Sequence, residues 1–150
     1  MTEFDNRRAI HKIALVYLEE TEGEYKVEMV NANRSANNLY QITSAPFFAK
    51  HLAVNDCVTV EDEDGTHFFD SLIHKSGHST IRILFEPNQE IDNILKSFHT
   101  LGVEAYRYHD TVLAVLDIPP SADYQIILKL LQTGEAENQW EFEESCLGWK

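Results

Sequence analysis

The stretch Ser76-Gly77-His78-Ser79-Thr80-Ile81-Arg82-Ile83-Leu84-Phe85-Glu86 decides how this chain is read. Ser76-Gly77 closes a β-rich N-terminal half. Thr80 to Glu86 then alternates, with Ile81, Ile83 and Phe85 on one face and Thr80, Arg82 and Leu84 on the other. That is the period of a strand. Downstream, Gln89 to Leu101 repeats Ile91, Ile94, Leu95, Phe98 and Leu101 at helical spacing, and Gly102 stands where a left-handed cap ends a helix. Val103 to Tyr108 reads as a strand, and His109-Asp110 as a tight turn. Thr111 to Ile118 is apolar on both faces, as a central strand is. Pro119-Pro120 stops it. Ser121 caps a second helix, Ala122 to Gln132, which Thr133-Gly134 ends. Trp140, Phe142 and Glu144 alternate against Glu141 and Glu143 in a last strand. The order β-α-β-β-α-β predicts a ferredoxin-like sheet with both helices on one face.

Working back toward the N-terminus, residues 1–10 are polar and predict a loose start. His11 to Glu19 is a strand apolar on both sides, which places it at a junction between two halves. Glu20 to Glu24 turns. Tyr25 to Val30 returns as a hairpin partner, with Tyr25, Val27 and Met29 inward and Lys26 and Glu28 outward. Asn31 to Asn38 reads as a loop and Leu39 to Thr43 as a short strand. Ala45 to Leu52 predicts a two-turn helix capped by Ser44, with Pro46 near its start. Cys57 to Glu61 and Thr66 to Lys75 are strands joined through Asp64-Gly65. Five strands and one short helix close most economically as a small half-open barrel. The expected fold class is α+β, with a β-barrel-like subdomain over 1–77 and a βαββαβ subdomain over 78–150.

The 150 residues carry a net charge of −13, about −6 in residues 1–77 and −7 in 78–150. Nucleic acid is excluded as a partner, because phosphate binding needs basic surface. Anionic membrane is disfavoured for the same reason. A basic protein is what such a field attracts. Cys57 and Cys146 stand in no metal or redox spacing. No signal peptide or membrane-length apolar run is read, which predicts a cytoplasmic protein with reduced thiols.

No cofactor or metal is expected. His67 and His74, seven apart on one proposed strand, fall on opposite faces and about 20 Å apart, and His78 brings no thiolate or carboxylate at a metal-binding interval. Ser76-Gly77-His78-Ser79 holds hydroxyls and an imidazole, but adjacent residues on a strand point apart, so a turn bonding local backbone is the reading. Arg82, on a strand near the junction, can tie loops through its fork of donors or hold a ligand carboxylate. The acidic clusters are Glu19-Glu20-Glu22-Glu24, Glu61-Asp62-Glu63-Asp64 and Glu135-Glu137-Glu141-Glu143-Glu144. Charge beside aromatic anchors singles out Glu141, Glu143 and Glu144 with Tyr106 and Tyr108 as the first candidate partner-binding surface, and the Glu61 to Asp64 loop as the second.

Leu39-Tyr40, Pro46-Phe47-Phe48-Ala49, Asn55-Asp56-x-Val58, Asp64-Gly65 and Ser76-Gly77-His78-Ser79-Thr80-x-Arg82 together resemble a widespread bacterial family known as a domain of unknown function. That resemblance supplies no catalytic residue. In type, a small acidic cytosolic protein of this kind is similar to the immunity partners of bacterial toxins. The expectation is a non-enzymatic immunity protein that binds a basic toxin domain, such as a nuclease, and occludes its cleft. Two competing expectations are a small-ligand sensor with a pocket at the junction near Arg82, and an enzyme of unrecognised type.

Overall fold

A computed structural model describes residues 10–150. The expected loose start lies, apart from Ile10, outside the described residues. The first five strands are β1 (His11–Glu19), β2 (Glu24–Ala36), β3 (Leu39–Ile42), β4 (Cys57–Glu63) and β5 (Thr66–His74). They close a barrel in sequence order, and β1 meets β5 in parallel at Ala14 and Phe68. The rest is β6 (Ser79–Phe85), α1 (Ile91–His99), β7 (Glu104–Arg107), β8 (Leu113–Ile118), α2 (Tyr124–Ala136) and β9 (Trp140–Cys146). These strands form a second sheet in the order β7-β8-β6-β9, every neighbouring pair antiparallel. The architecture is α+β: a closed five-stranded barrel beside a four-stranded sheet that carries two helices.

The second sheet follows from simple alternation. Ile81, Ile83 and Phe85 bury under both helices, against Leu95 and Phe98 of α1 and Ile127 and Leu131 of α2. Thr80, Arg82 and Leu84 take the opposite face. α2 begins on Asp123, whose carboxylate accepts from the Gln125 amide, not on Ser121. It also runs through Thr133-Gly134, where a stop was expected. Gly134 is there for space: a Cβ at that position would lie 2.0 Å from the Trp140 ring. The ring needs that approach, because its Nε1 donates to the Leu131 carbonyl at 3.0 Å.

The barrel departs from expectation in four places. β2 continues to Ala36, through the polar run read as a loop, and turns at Asn37-Asn38. Its facing is the reverse of that expected. Ile13 and Leu15 point into the barrel, and their antiparallel partners are Val30 and Glu28. Directly opposed residues share a face, so Glu28 and Val30 point in, and Tyr25, Val27 and Met29 point out. The outward face of β1 is likewise open: Val16 and Leu18 are 56% and 48% exposed, so the junction does not bury this strand. Residues 45–52 form no helix. They belong to an irregular segment, 43–56, that plugs one end of the barrel with Ala49 and Leu52. Ser44 caps nothing helical there; its hydroxyl accepts from the Asn31 amide.

Candidate functional site

The plug is held between barrel and sheet by two charged side chains. Glu28, at the barrel mouth, accepts from the amides of Phe47, Phe48 and Ala49 at 2.6, 3.0 and 3.0 Å. In a helix over 45–52 the Phe48 and Ala49 donors would be spent on Ser44 and Ala45, and here the carboxylate takes them with that of Phe47. From the other side Arg82 donates to the Phe47 and Phe48 carbonyls at 3.0 and 3.1 Å and to Glu143 at 2.5 Å. One short run of backbone thus feeds a carboxylate with its N–H groups and a guanidinium with its C=O groups. Above it, Phe47 and Phe48 meet Tyr108 edge-on at 5.2 and 5.1 Å, and Tyr17 stacks on Phe48 at 5.4 Å.

Ser76, Gly77 and His78 stand at the other end of the junction. Buried Asp56 accepts from the Ser76 and Ala53 amides. The Ser76 hydroxyl donates to the Val54 carbonyl and accepts from the His78 amide. His78 Nδ1 lies 2.7 Å from Asp117 Oδ1, and its Nε2 lies 3.4 Å from Asn55. Burial lifts the Asp117 carboxyl above its ordinary range, and the His78 bond pulls against that shift. Ser79 accepts from the Gly148 amide, and Thr80 donates to the Leu52 carbonyl. Ser76, His78, Thr80 and Arg82 thus bond across the junction, while the Ser79 hydroxyl ties β6 to the segment after β9 within the second half. Burial raises the Cys146 thiol, which leaves it poor in thiolate.

The structure divides the first candidate surface. Tyr106, Val115, Arg82 and Glu143 form one cross-strand row on the face away from the helices, with Glu141 two residues along. Glu144 is on the opposite face, where it accepts from the Tyr124 hydroxyl; burial and that bond push the Tyr124 phenol far above its ordinary range. Tyr108 packs into the plug's aromatic group. Glu61, Asp62, Glu63 and Asp64 are exposed at the β4–β5 hairpin tip, remote in the strand order from β9. Among the described residues no cluster of three or more His, Cys, Asp or Glu is placed to hold a metal, and no helix is long and apolar enough to cross a membrane.

One feature is absent from every sequence-derived site. On the outer wall of the barrel, Val16 lies opposite Val27, Leu18 opposite Tyr25 and Ala14 opposite Met29. Tyr25, Val27 and Met29 are 75%, 53% and 47% exposed. Five large apolar side chains therefore make one strip, and Glu19, Glu20, Glu22 and Glu24 ring its hairpin end. The Glu22 and Thr21 amides hold the Glu19 carboxyl below its ordinary range. Alternation in 25–29 is the signal that marks these residues. It reads equally well with the apolar set inside or outside, and only the partner strand decides.

A family model described as a domain of unknown function, DUF4265, matches residues 28–142. The chain belongs to this family. The DUF4265 match takes in the plug, the junction and nearly all of the second sheet, and begins after β1. A crystal structure described as a hypothetical protein from Neisseria gonorrhoeae is similar over 95% of this chain and 98% of its own, at 27% identity and a TM-score of 0.84. That similarity extends the shared fold beyond the DUF4265 region to almost the whole chain. No curated protein matches.

Proposed function

We propose that this chain is a non-enzymatic binding protein for a basic protein partner, acting in the cytoplasm as a toxin's immunity protein acts, by covering a positively charged cleft. The observation that carries this reading is the apolar strip of Val16, Leu18, Tyr25, Val27 and Met29 bordered by four glutamates. Contiguous apolar surface with a polar rim is the anatomy of an interaction site. A net charge of −13 favours encounter with a basic surface and repels acidic ones. The motif side chains support the same reading, since their polar groups are committed to the junction. We also read the second sheet as ferredoxin-like, which its strand order supports.

The test is co-purification. Tagged wild-type chain, expressed in its own cells, should retain one basic protein at about equal stoichiometry, less of it as salt rises. The Val27→Glu, Met29→Glu double variant should lose it. A wild-type chain that elutes without a stoichiometric basic protein, or a partner retained undiminished by the variant, defeats the reading.

One observation favours the sensor reading as the second choice. A cleft of about 440 Å³ runs between barrel and sheet, walled by Tyr17, Phe47, Phe48, Tyr108 and Arg107. An endogenous small molecule released from the native protein on denaturation, seen by mass spectrometry, would favour it over partner binding.

A further inference from the structure

Among the described residues, the β1–β5 ladder that closes the barrel has one register pair. Ala14 and Phe68 are the parallel contact of β1 with β5. Past it, β1 runs on to Glu19 and β5 to His74. The far edge of β1 is occupied by β2 along its whole length, and that of β5 by β4. Among the described residues, the two edges that face each other beyond the pair have no further ladder partner. Beside them lies a groove of about 440 Å³, walled by Val16 and Leu18 of β1 and Phe69 and Leu72 of β5, with Leu15 and the plug residues 48–52 forming its floor.

Open strand edges are ordinarily blunted by charge, proline or a covering loop. Here the side chains along the opening are half-exposed apolar ones, Val16, Leu18 and Leu72. We propose that this seam is a strand-receiving slot, and that its occupant is an extended segment of the basic partner, added as a further strand along β1. The inference rests on the basic-partner reading and names where and in what conformation the partner is held.

Three features select that occupant. A β-strand edge offers backbone donors and acceptors that only an extended backbone satisfies along its length. The five residues of β1 beyond the pair give about 16 Å of edge, room for a short segment with alternate side chains dipping into the groove. Glu19, Glu20, Glu22 and Glu24 stand at the exit, so Lys or Arg is favoured just past the apolar positions. Lys50 also lines the groove, but it is paired with Glu20 and Glu143. A second copy of this chain would bring another −13 to an acidic mouth.

The probe is a random twelve-residue peptide library displayed on phage, selected on the immobilised full-length chain; the strongest peptide is then synthesised. Selected peptides should carry apolar residues at alternate positions followed by Lys or Arg. Binding should slow amide exchange in Val16 to Glu19 at least tenfold. N-methylating alternate peptide nitrogens should weaken binding more than tenfold, as should Leu72→Arg in a variant whose unfolding midpoint matches that of the wild type. Ile126→Arg, at an exposed position on α2 of the second half, should leave this peptide's affinity unchanged. Peptides lost to Met29→Glu but indifferent to Leu72→Arg overturn the slot and leave the basic partner standing. Peptides that enter the slot without excess Lys or Arg overturn the basic occupant. A dimer in solution that Leu72→Arg dissociates assigns the slot to a second copy and overturns the proposal, and so does a failure of any peptide to slow exchange in β1.

Discussion

A carboxylate facing into a barrel is costly unless donors meet it. Glu28 meets three amides, and its inward position is explained by them. Glu28→Ala would strip three N–H groups of their acceptor. The expected loss is about 2 kcal/mol, less than for a fully buried group because water can reach part of the site. Urea unfolding measures it, and a loss below a few tenths would show that the plug does not need the carboxylate. Asp117 gives a pH signature. Its carboxyl is raised above the ordinary 3.8 in the folded protein. The folded state therefore holds this proton more tightly than the unfolded one. That stability is present in full below the ordinary value and is lost as pH rises through the folded value. The stability of the wild type minus that of Asp117→Asn should fall as pH rises from below 3.8 through the raised folded value. A difference that grows with pH contradicts the shift.

At the scale of elements, the second sheet was legible because β6 and both helices each have one apolar face, as Ile81, Ile83 and Phe85 show, and β8 is apolar on both, as a central strand is. Periodicity then states both type and facing. β2 was legible as a strand but not in its facing, because Tyr25, Val27 and Met29 are a correct alternating set turned outward. The pairing with β1 decides it, and Glu28 is met inside by partners that lie about twenty residues away in sequence. The plug misread as a helix has the same origin: Ser44 and Pro46 are sound local signals, overridden when a distant carboxylate takes the amides. At the candidate site, alternation marked the outer strip as apolar but left open which side of the barrel it faces. Gly134 was read as a stop because space for Trp140 is a tertiary matter. Gly134→Ala should therefore destabilise, by about 1 to 3 kcal/mol of overpacking, although alanine alone would favour the helix by about 1 kcal/mol. Thermal unfolding followed by Trp140 fluorescence decides it, and a raised midpoint would refute the account.

Over the whole molecule, excess negative charge is spread through both halves, and like charges repel in the compact state. Added neutral salt should raise the unfolding midpoint, screening more repulsion than the few surface ion pairs lose; a midpoint that falls with salt would count against this. The plug has a different whole-molecule consequence. Its N–H groups need Glu28 on the barrel, and its carbonyls need Arg82 on the sheet. His51 and Leu52 add bonds to Ser145 and Thr80. Neither half alone supplies both sets of partners. In kinetic terms, these partners predict that the plug orders after both sheets exist, on the downhill side of the folding barrier. Glu28→Gln should then speed unfolding in proportion to the stability it removes and leave the refolding rate nearly unchanged. Barrel and sheet, which differ in nearly every local respect, would share one unfolding clock set by a few residues of loop.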